Sequence, residues 1–168
     1  MTLNIRQATP EDAQDMVGII NPIIVTGGTT AHMTPFDDAR MTRHYISPKR
    51  KVSCVLAKWD DAPAGFQSLA WPDEEGDPFP DGWAIIASFV DQSMAGKGIG
   101  RALFEQTMIM ARQAGVTTID ATIRADNSSG LGYYERMGFR TYEVLPAVAL
   151  RDGTRVDRIR KKLDVLPA

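Results

Sequence analysis

Three glycines, Gly96, Gly98 and Gly100, fall within five positions, and a helical pattern follows them directly. Glycine near a helix start costs about 1 kcal/mol relative to alanine, so this grouping needs a physical reason. An apolar strand precedes the segment, and a strand–glycine–helix order presents free backbone N–H groups and a helix dipole to an anion. Lys97 and Arg101 add positive charge at the rim. The pattern predicts a phosphate-binding turn, and a flexible turn without a ligand is the alternative.

Two established phosphate motifs do not describe this segment. A Walker A loop requires Gly-Lys-Ser/Thr, whereas Lys97 is followed by Gly98. A dinucleotide fingerprint requires Gly-x-Gly-x-x-Gly, and Gly100 comes one residue too early for it. The identity of the segment therefore depends on the residues that follow it.

A second group of chemically capable residues begins at Asn127 and includes Tyr134, Glu135, Gly138 and Phe139. Together with the glycine segment it resembles the GNAT superfamily of acyl-CoA-dependent N-acyltransferases. In that family an Arg/Gln-x-x-Gly-x-Gly/Ala segment binds the coenzyme A pyrophosphate, and an Asn…Tyr-Glu-x-x-Gly-Phe element flanks the pantetheine arm and thiol. The stretch 5–22 is also similar to the start of the phosphinothricin and amino-acid N-acetyltransferase branch. The resemblance covers nearly the whole chain and is weaker before residue 83.

The resemblance implies acetyl-CoA as co-substrate and assigns its binding residues. Backbone N–H groups of a splayed central strand, around Ser88, Phe89 and Val90, are expected to meet the acyl carbonyl. A donor aimed at the developing oxyanion is worth roughly 3 kcal/mol. The pyrophosphate is expected at Gly96, Lys97, Gly98, Ile99, Gly100 and Arg101. Asn127 either binds the pantetheine amides or only caps the following helix.

Tyr134 is the predicted catalytic residue, placed by the resemblance beside the departing thiolate. A phenol has a pKa of about 10 and a thiol a pKa of about 8.5. Tyr134 is therefore expected either to protonate the thiolate or to stabilise it by a hydrogen bond without complete proton transfer. We assign Tyr134 to the site and its neighbour Tyr133 to the core, because adjacent helical residues point in different directions. Two aromatic residues on a half-buried helix, one of them in the core, are the alternative interpretation.

Two positions depart from the family pattern. The amino-acid acetyltransferase branch carries a glutamate where this chain has Ile85, and the strand 83–90 contains no carboxylate. An amine that resembles lysine, with a pKa of about 10.4, must lose a proton before it attacks. His32, an acid of the loop 72–82 and a water chain are the candidate proton acceptors. Ala95 replaces the Arg/Gln of the family motif, which removes one pyrophosphate contact.

The sequence predicts an N-acetyltransferase that moves acetyl from acetyl-CoA to a small-molecule amine or amino acid by direct attack in a ternary complex. The missing glutamate suggests the alternative, an acyl-CoA-binding sensor or interaction module without turnover. A net charge of −2 indicates neither nucleic acid nor an anionic membrane as partner. One cysteine and two histidines form no metal-binding pattern. We expect a cytoplasmic protein. The sequence is also compatible with a homodimer.

The elements that must position these residues indicate a single α+β domain over 1–168. Strands are predicted at 4–9, 52–58, 64–71, 83–90 and 118–123, followed by a hairpin of 139–150 with 155–163. The first helix starts at Pro10 and ends at Pro22, and a second is opened by Thr34-Pro35 and continues to about Tyr45. Two more helices end near 114 and 137. The resemblance implies a mixed, mostly antiparallel central sheet with helices on both faces and splayed central strands.

Overall fold

Seven strands form one mixed sheet in a computed structural model that describes residues 1–76 and 78–167. Asp77 of the acidic loop and Ala168 lie outside the described residues. The strands are β1 Leu3–Gln7, β2 Lys51–Trp59, β3 Ala62–Ala70, β4 Trp83–Val90, β5 Thr118–Arg124, β6 Arg140–Ala149 and β7 Arg155–Asp164. Their order is β1-β2-β3-β4-β5-β7-β6, and only β4 and β5 run parallel. The predicted mixed, mostly antiparallel sheet is confirmed.

Helices cover both faces of this sheet. They are α1 Ala13–Thr26, α2 Asp38–Met41, α3 Ile99–Ala114 and α4 Ser128–Arg136, and α2 continues as a wider turn over Thr42–Ile46. Successive strand residues face opposite sides, so Leu56 packs with α1 and α2 while Val55 packs with α3. Within the described residues, no helix is long and apolar enough to cross a membrane.

The sheet divides at β4. This strand pairs with β3 over Ile85–Val90 but with β5 only over Trp83–Ile85. Beyond Ile85 the two parallel strands diverge, and the edge of residues 86–90 that faces β5 has no strand partner in the described part of the chain. The predicted splay of the central strands is therefore confirmed, and we call this opening the fork.

The first helix ends later than predicted, because Pro22 lies inside α1 and does not end it. At its start, Pro10–Asp12 form a 3-10 turn that leads into α1 at Ala13. Proline inside a helix removes a hydrogen bond and costs about 3 kcal/mol or more. Ile23 and Ile24, which follow the proline, are both 8% exposed and belong to the core between α1 and the sheet. Burying each isoleucine contributes about 1.5–3 kcal/mol, which offsets the proline and carries the helix on to Thr26.

The second helix begins later than its predicted Thr34-Pro35 start. Asp37 is the residue that caps it, accepting a hydrogen bond from the Arg40 backbone N–H at 2.7 Å. The backbone of Phe36 is held in the preceding segment by Asn21 of α1, whose side chain bonds both its N–H, at 2.8 Å, and its carbonyl, at 3.0 Å. This contact between distant residues decides the boundary, and local capping signals do not contain it.

Candidate active site

A cavity of about 540 Å³ lies between the fork, the start of α3 and α4. Nine of the predicted site residues line it: Ser88, Phe89, Val90, Gly96, Gly98, Ile99, Gly100, Arg101 and Asn127. Lys97, Tyr134 and His32 are not among its described lining residues. The structure therefore brings most of the predicted set together around one space, which continues from the unpaired edge of β4 to a helix N-terminus.

The start of α3 presents unpaired backbone donors to this cavity. Gly98 occupies the capping position with a φ of 74°, and Gly96 has a φ of 78°, both in the left-handed region that favours glycine. The first backbone bond of the helix runs from the Ala102 N–H to the Gly98 carbonyl, at 3.1 Å. The N–H groups of the residues before Ala102 have no hydrogen-bond partner within the helix. Since Gly98 has no side chain to cap them, they form an anion-binding surface.

Gly100 is glycine for a different reason. A Cβ atom at this position would lie 2.8 Å from Cε1 of Tyr133, closer than real contacts allow. The Tyr133 hydroxyl also donates to the Gly100 carbonyl at 2.7 Å. The glycine therefore makes room for a tyrosine of α4, whereas the expectation was that all three glycines make room for phosphate.

The two cations of the glycine segment are oriented differently. The Lys97 ammonium lies 5.0 Å from the centre of the Trp59 ring, in a cation–π contact on the side of β2. Arg101 lines the cavity and is paired with Glu105 one turn later, at 3.3 Å. Arg101 is therefore the predicted cation that lies at the cavity.

The two tyrosines do not divide between core and cavity as predicted, because Tyr133 packs against the core and also lines the cavity. Tyr134 is 6% exposed and packs edge-on against Phe139, with ring centres 5.1 Å apart. Adjacent residues on a helix are separated by about 100° around its axis, not 180°. The two side chains therefore do not have to point to opposite sides of the helix. The two rings contact each other, with centres 4.9 Å apart.

A hydrogen-bond network connects both tyrosines to the sheet. The Gln67 amide nitrogen, on β3, donates to the Ser88 hydroxyl at 2.8 Å and to the Tyr133 hydroxyl at 3.0 Å. The Ser88 and Tyr134 hydroxyls lie 2.8 Å apart. Burial raises the pKa of Tyr133 to about 12 and raises the pKa of Tyr134 above its ordinary value. Both phenols are therefore protonated at neutral pH.

Asn127 caps α4 and also holds the segment 27–34. Its side-chain oxygen accepts from the Gly130 N–H at 2.9 Å, and its nitrogen donates to the Thr29 carbonyl at 3.0 Å. Arg124 of β5 donates to the neighbouring Thr30 carbonyl at 3.1 Å. Asn127 therefore caps α4 and also lines the cavity, and its binding of the pantetheine amides stays a prediction.

His32 belongs to the segment 27–34 and lies in an aromatic cluster with residues of the second helix and the sheet. Its Nε2 atom is 2.7 Å from the Tyr45 hydroxyl, and its ring contacts Phe36 and His44 edge-on. Burial is the main cause that lowers the pKa of His32 to about 4, and the charges of His44 and Arg40 act in the same direction. His32 is therefore neutral at pH 7. It is not among the described lining residues of the cavity, but its ring centre lies 6.4 Å from that of Phe89, which lines it.

The acidic loop 72–82 does not supply acids to the cavity among its described residues. Asp73, Glu74 and Glu75 line a second cavity of about 400 Å³ with Lys49 and Arg50. Glu74 is paired with Arg50 at 3.2 Å. Among the described residues, no group of three histidine, cysteine or acidic side chains could hold a metal ion.

Sequence reasoning missed two buried polar residues near the fork. Asp120 of β5 is the register partner of Ile85 and is 1% exposed, with hydrogen bonds from Tyr142 at 2.5 Å and Thr122 at 2.8 Å. Gln67 is fully buried in β3. Each follows an apolar residue of its strand, Phe66 before Gln67 and Ile119 before Asp120, and this was the available signal. Their partners lie on other elements and could not be inferred from spacing.

Comparison with known proteins identifies relatives of this chain. Residues 25–139 match the profile of the family described as the Acetyltransferase (GNAT) family. The L-methionine sulfoximine/L-methionine sulfone acetyltransferase of Pseudomonas aeruginosa is 27% identical over 172 residues, covering 99% of this chain and 97% of that protein. The peptidyl-lysine N-acetyltransferase of Salmonella typhimurium is 31% identical over 141 residues, covering 83% and 85%.

Solved structures share the fold. An N-acetyltransferase from Staphylococcus aureus superimposes with a TM-score of 0.82 at 20% identity, covering 99% of this chain and 100% of that one. A phosphinothricin acetyltransferase from Sinorhizobium meliloti, solved in complex with acetyl-CoA, superimposes with a TM-score of 0.79 at 19% identity, covering 98% and 89%.

Proposed function

Because the chain belongs to the GNAT family of acetyltransferases, we propose that it transfers acetyl from acetyl-CoA to the amine of a small molecule or amino acid, by direct attack in a ternary complex. One observation carries this proposal. A single cavity joins the unpaired edge of β4 to the uncapped N-terminus of α3. A thioester with a long polar arm and a pyrophosphate needs both features at once.

The donor side of the proposal uses backbone groups. The pyrophosphate is held by the amides that follow Gly98, with Arg101 beside them. The acyl carbonyl meets the N–H groups of Ser88 and Val90, which point to the unpaired edge of β4, whereas the Phe89 N–H between them points toward β3. As the acceptor nitrogen attacks, the carbonyl oxygen gains negative charge, and a fixed backbone donor stabilises that charge most in the transition state. The carbon–sulfur bond then breaks, and the leaving thiolate is stabilised or protonated by Tyr134.

The acceptor side favours a small molecule. The relative from Pseudomonas aeruginosa, which matches along nearly its whole length, is named for two amino-acid analogues. The segment 27–34 is tied to the β5–α4 corner by Asn127 and Arg124, and Thr29 lines the cavity. A segment held over one side of the cavity suits a small amine better than the surface of a folded protein. His32 belongs to this segment, and its proposed role is in acceptor binding. A cytoplasmic location and a homodimer stay predictions.

Release of free coenzyme A thiol tests the proposal. The protein is incubated with acetyl-CoA and with methionine sulfoximine, methionine sulfone, phosphinothricin, the common amino acids and a lysine-containing peptide in turn. We expect thiol release above hydrolysis with at least one small amine, and an acetylated product by mass spectrometry. Release with the peptide alone would contradict the small-molecule acceptor. Thermal stabilisation by acetyl-CoA without any thiol release would favour the non-catalytic sensor.

A further inference from the structure

The Tyr133 hydroxyl can donate its hydrogen to one acceptor only, the Gly100 carbonyl. Tyr133 donates to the Gly100 carbonyl at 2.7 Å, and a carbonyl oxygen can only accept. At its second contact, with Gln67 at 3.0 Å, the Tyr133 oxygen must therefore accept. The atom of Gln67 at that contact has to be the amide nitrogen, which sets the orientation of the whole Gln67 side chain.

This orientation of the Gln67 amide leaves one of its polar atoms without a partner. The Gln67 carbonyl oxygen is buried and has no hydrogen-bond partner among the described residues. Rotating the amide by 180° would place that oxygen against the Tyr133 oxygen, with no hydrogen between them. In the observed orientation the second amide hydrogen goes to the Ser88 hydroxyl at 2.8 Å.

Ser88 then has one hydrogen and one lone pair left. A hydroxyl accepts two hydrogen bonds and donates one. Gln67 fills the first lone pair, and the Tyr134 hydroxyl lies 2.8 Å away. When Tyr134 donates into the second lone pair, the Ser88 hydrogen is free to point elsewhere. Ser88 lines the cavity, whereas Tyr134 is 6% exposed and is not among its described lining residues.

We propose that the Ser88 hydroxyl is a proton relay between Tyr134 and the leaving sulfur. This inference rests on the proposed function and on the role given there to Tyr134. As the carbon–sulfur bond breaks, its electron pair moves to sulfur, which takes the Ser88 hydrogen while Ser88 takes the Tyr134 hydrogen. The acceptor nitrogen loses a proton when the amide forms, and this proton returns to Tyr134 through the same Ser88 hydroxyl, because Ser88 is the described partner of Tyr134 that reaches the cavity. The net change moves one proton from nitrogen to sulfur, and no charge remains on the protein.

Gln67 acts as a positioning residue in this relay. Gln67 donates to one lone pair of the Ser88 oxygen. The second lone pair is therefore left for Tyr134, and the Ser88 hydrogen is left to point into the cavity. Burial raises the pKa of Tyr134, so the phenolate is a short-lived form and the tyrosine passes a proton on without storing charge. The buried tyrosine therefore acts through the residue that reaches the cavity.

The test compares Ser88→Ala, Ser88→Thr, Tyr134→Phe and the double variant Ser88→Ala/Tyr134→Phe, with the small amine that gives the fastest thiol release. A relay in series predicts that both single variants lose about 10²-fold or more in kcat and that the double variant is no slower than the slower single one. Thermal stabilisation by acetyl-CoA should be retained in all of them. Ser88→Thr restores a hydroxyl and should recover most of the rate.

Two further measurements separate chemistry from folding. The control Ser53→Ala makes the same change in β2, where the hydroxyl is buried without a partner among the described residues, and it should leave kcat unchanged. The seleno analogue of acetyl-CoA has a more acidic leaving group, so it should bring Ser88→Ala close to the wild-type rate. A merely misfolded variant would gain no such rescue.

Three results would overturn the relay. If Ser88→Ala keeps the wild-type kcat while Tyr134→Phe is slow, Tyr134 reaches the sulfur directly, and the proposed function stands without the relay. If the losses multiply in the double variant, the two hydroxyls act independently. If Tyr134→Phe keeps full turnover, the role of Tyr134 fails first, and the relay fails with it.

Discussion

Adjacent tyrosines on α4 carry the same chemical group and differ in where the hydroxyl hydrogen goes. The hydrogen of Tyr133 is committed to a backbone carbonyl of α3, whereas the Tyr134 hydroxyl has only the Ser88 hydroxyl as a described partner. A committed hydrogen stabilises the structure and is not available to a leaving group. The hydrogen-bond partner of each tyrosine hydroxyl therefore indicates whether the residue has a structural or a chemical role. The distance of the hydroxyl from the cavity is a weaker guide.

The variant Tyr133→Phe tests this distinction. It keeps the ring against Gly100 and removes the bonds to the Gly100 carbonyl and from Gln67, each worth about 0.5–1.5 kcal/mol. We expect a loss of about 1–2 kcal/mol in the free energy of unfolding, measured by urea titration, and a change in kcat of less than about tenfold. A fall in kcat equal to that of Tyr134→Phe would assign the chemistry to Tyr133.

At the scale of the element, α3 has a left-handed glycine at each end, which provides a matched pair. Gly98 has a φ of 74° and Gly115 a φ of 81°, and a Cβ added at either would meet nothing within 4 Å. Only Gly98 lies at the cavity. The pair separates the backbone cost of a side chain from its effect on a ligand.

Gly98→Ala and Gly115→Ala should each destabilise the protein by about 1–2 kcal/mol, because alanine is strained in the left-handed region. Acetyl-CoA at 100 times its Kd should stabilise the wild type and Gly115→Ala by about 2.7 kcal/mol. Gly98→Ala should show a smaller stabilisation at the same concentration, since its methyl group occupies the approach to the amides. Thermal unfolding with and without acetyl-CoA measures both effects. Equal ligand shifts in the two variants would contradict phosphate binding at this turn.

Local patterns were sufficient for most of the strands and helices and for the glycine part of the cavity. The arrangement of the sheet and the lining residues Ser88, Phe89, Val90 and Asn127 were implied by the family resemblance. The errors occurred where distant contacts override local preference. Buried Ile23 and Ile24 carry α1 through Pro22, Asn21 delays α2, and the roles of Gln67 and Gly100 depend on a tyrosine of α4. Such contacts exist only once the chain is folded.

At the scale of the whole molecule, His32 links stability to pH. Its pKa is about 4 in the folded protein and about 6.5 in the unfolded chain. The unfolded state binds more protons between these values, so the stability contributed by neutral His32 is present above pH 6.5 and is lost as the pH falls toward 4. Arg6 holds the pKa of Asp12 at about 2, so that carboxylate stays ionised throughout this window.

Urea unfolding between pH 4.5 and 7.5 should show stability rising with pH in the wild type. The slope should be shallower in His32→Gln, and it should not vanish, because burial also lowers the pKa of His44. His44→Gln provides the comparison at a second histidine of the same cluster. An unchanged slope in His32→Gln would show that the ring is solvated in the folded protein.

The contact between Gly100 and Tyr133 also has a consequence for inheritance. A Cβ at position 100 and a large ring at position 133 claim the same volume, although the two positions lie on different helices. A lineage that acquires a side chain at position 100 must first, or at the same time, reduce the residue at position 133. We therefore expect these positions to covary among homologues, with tyrosine at 133 accompanied by glycine at 100 and side chains at 100 accompanied by smaller residues at 133.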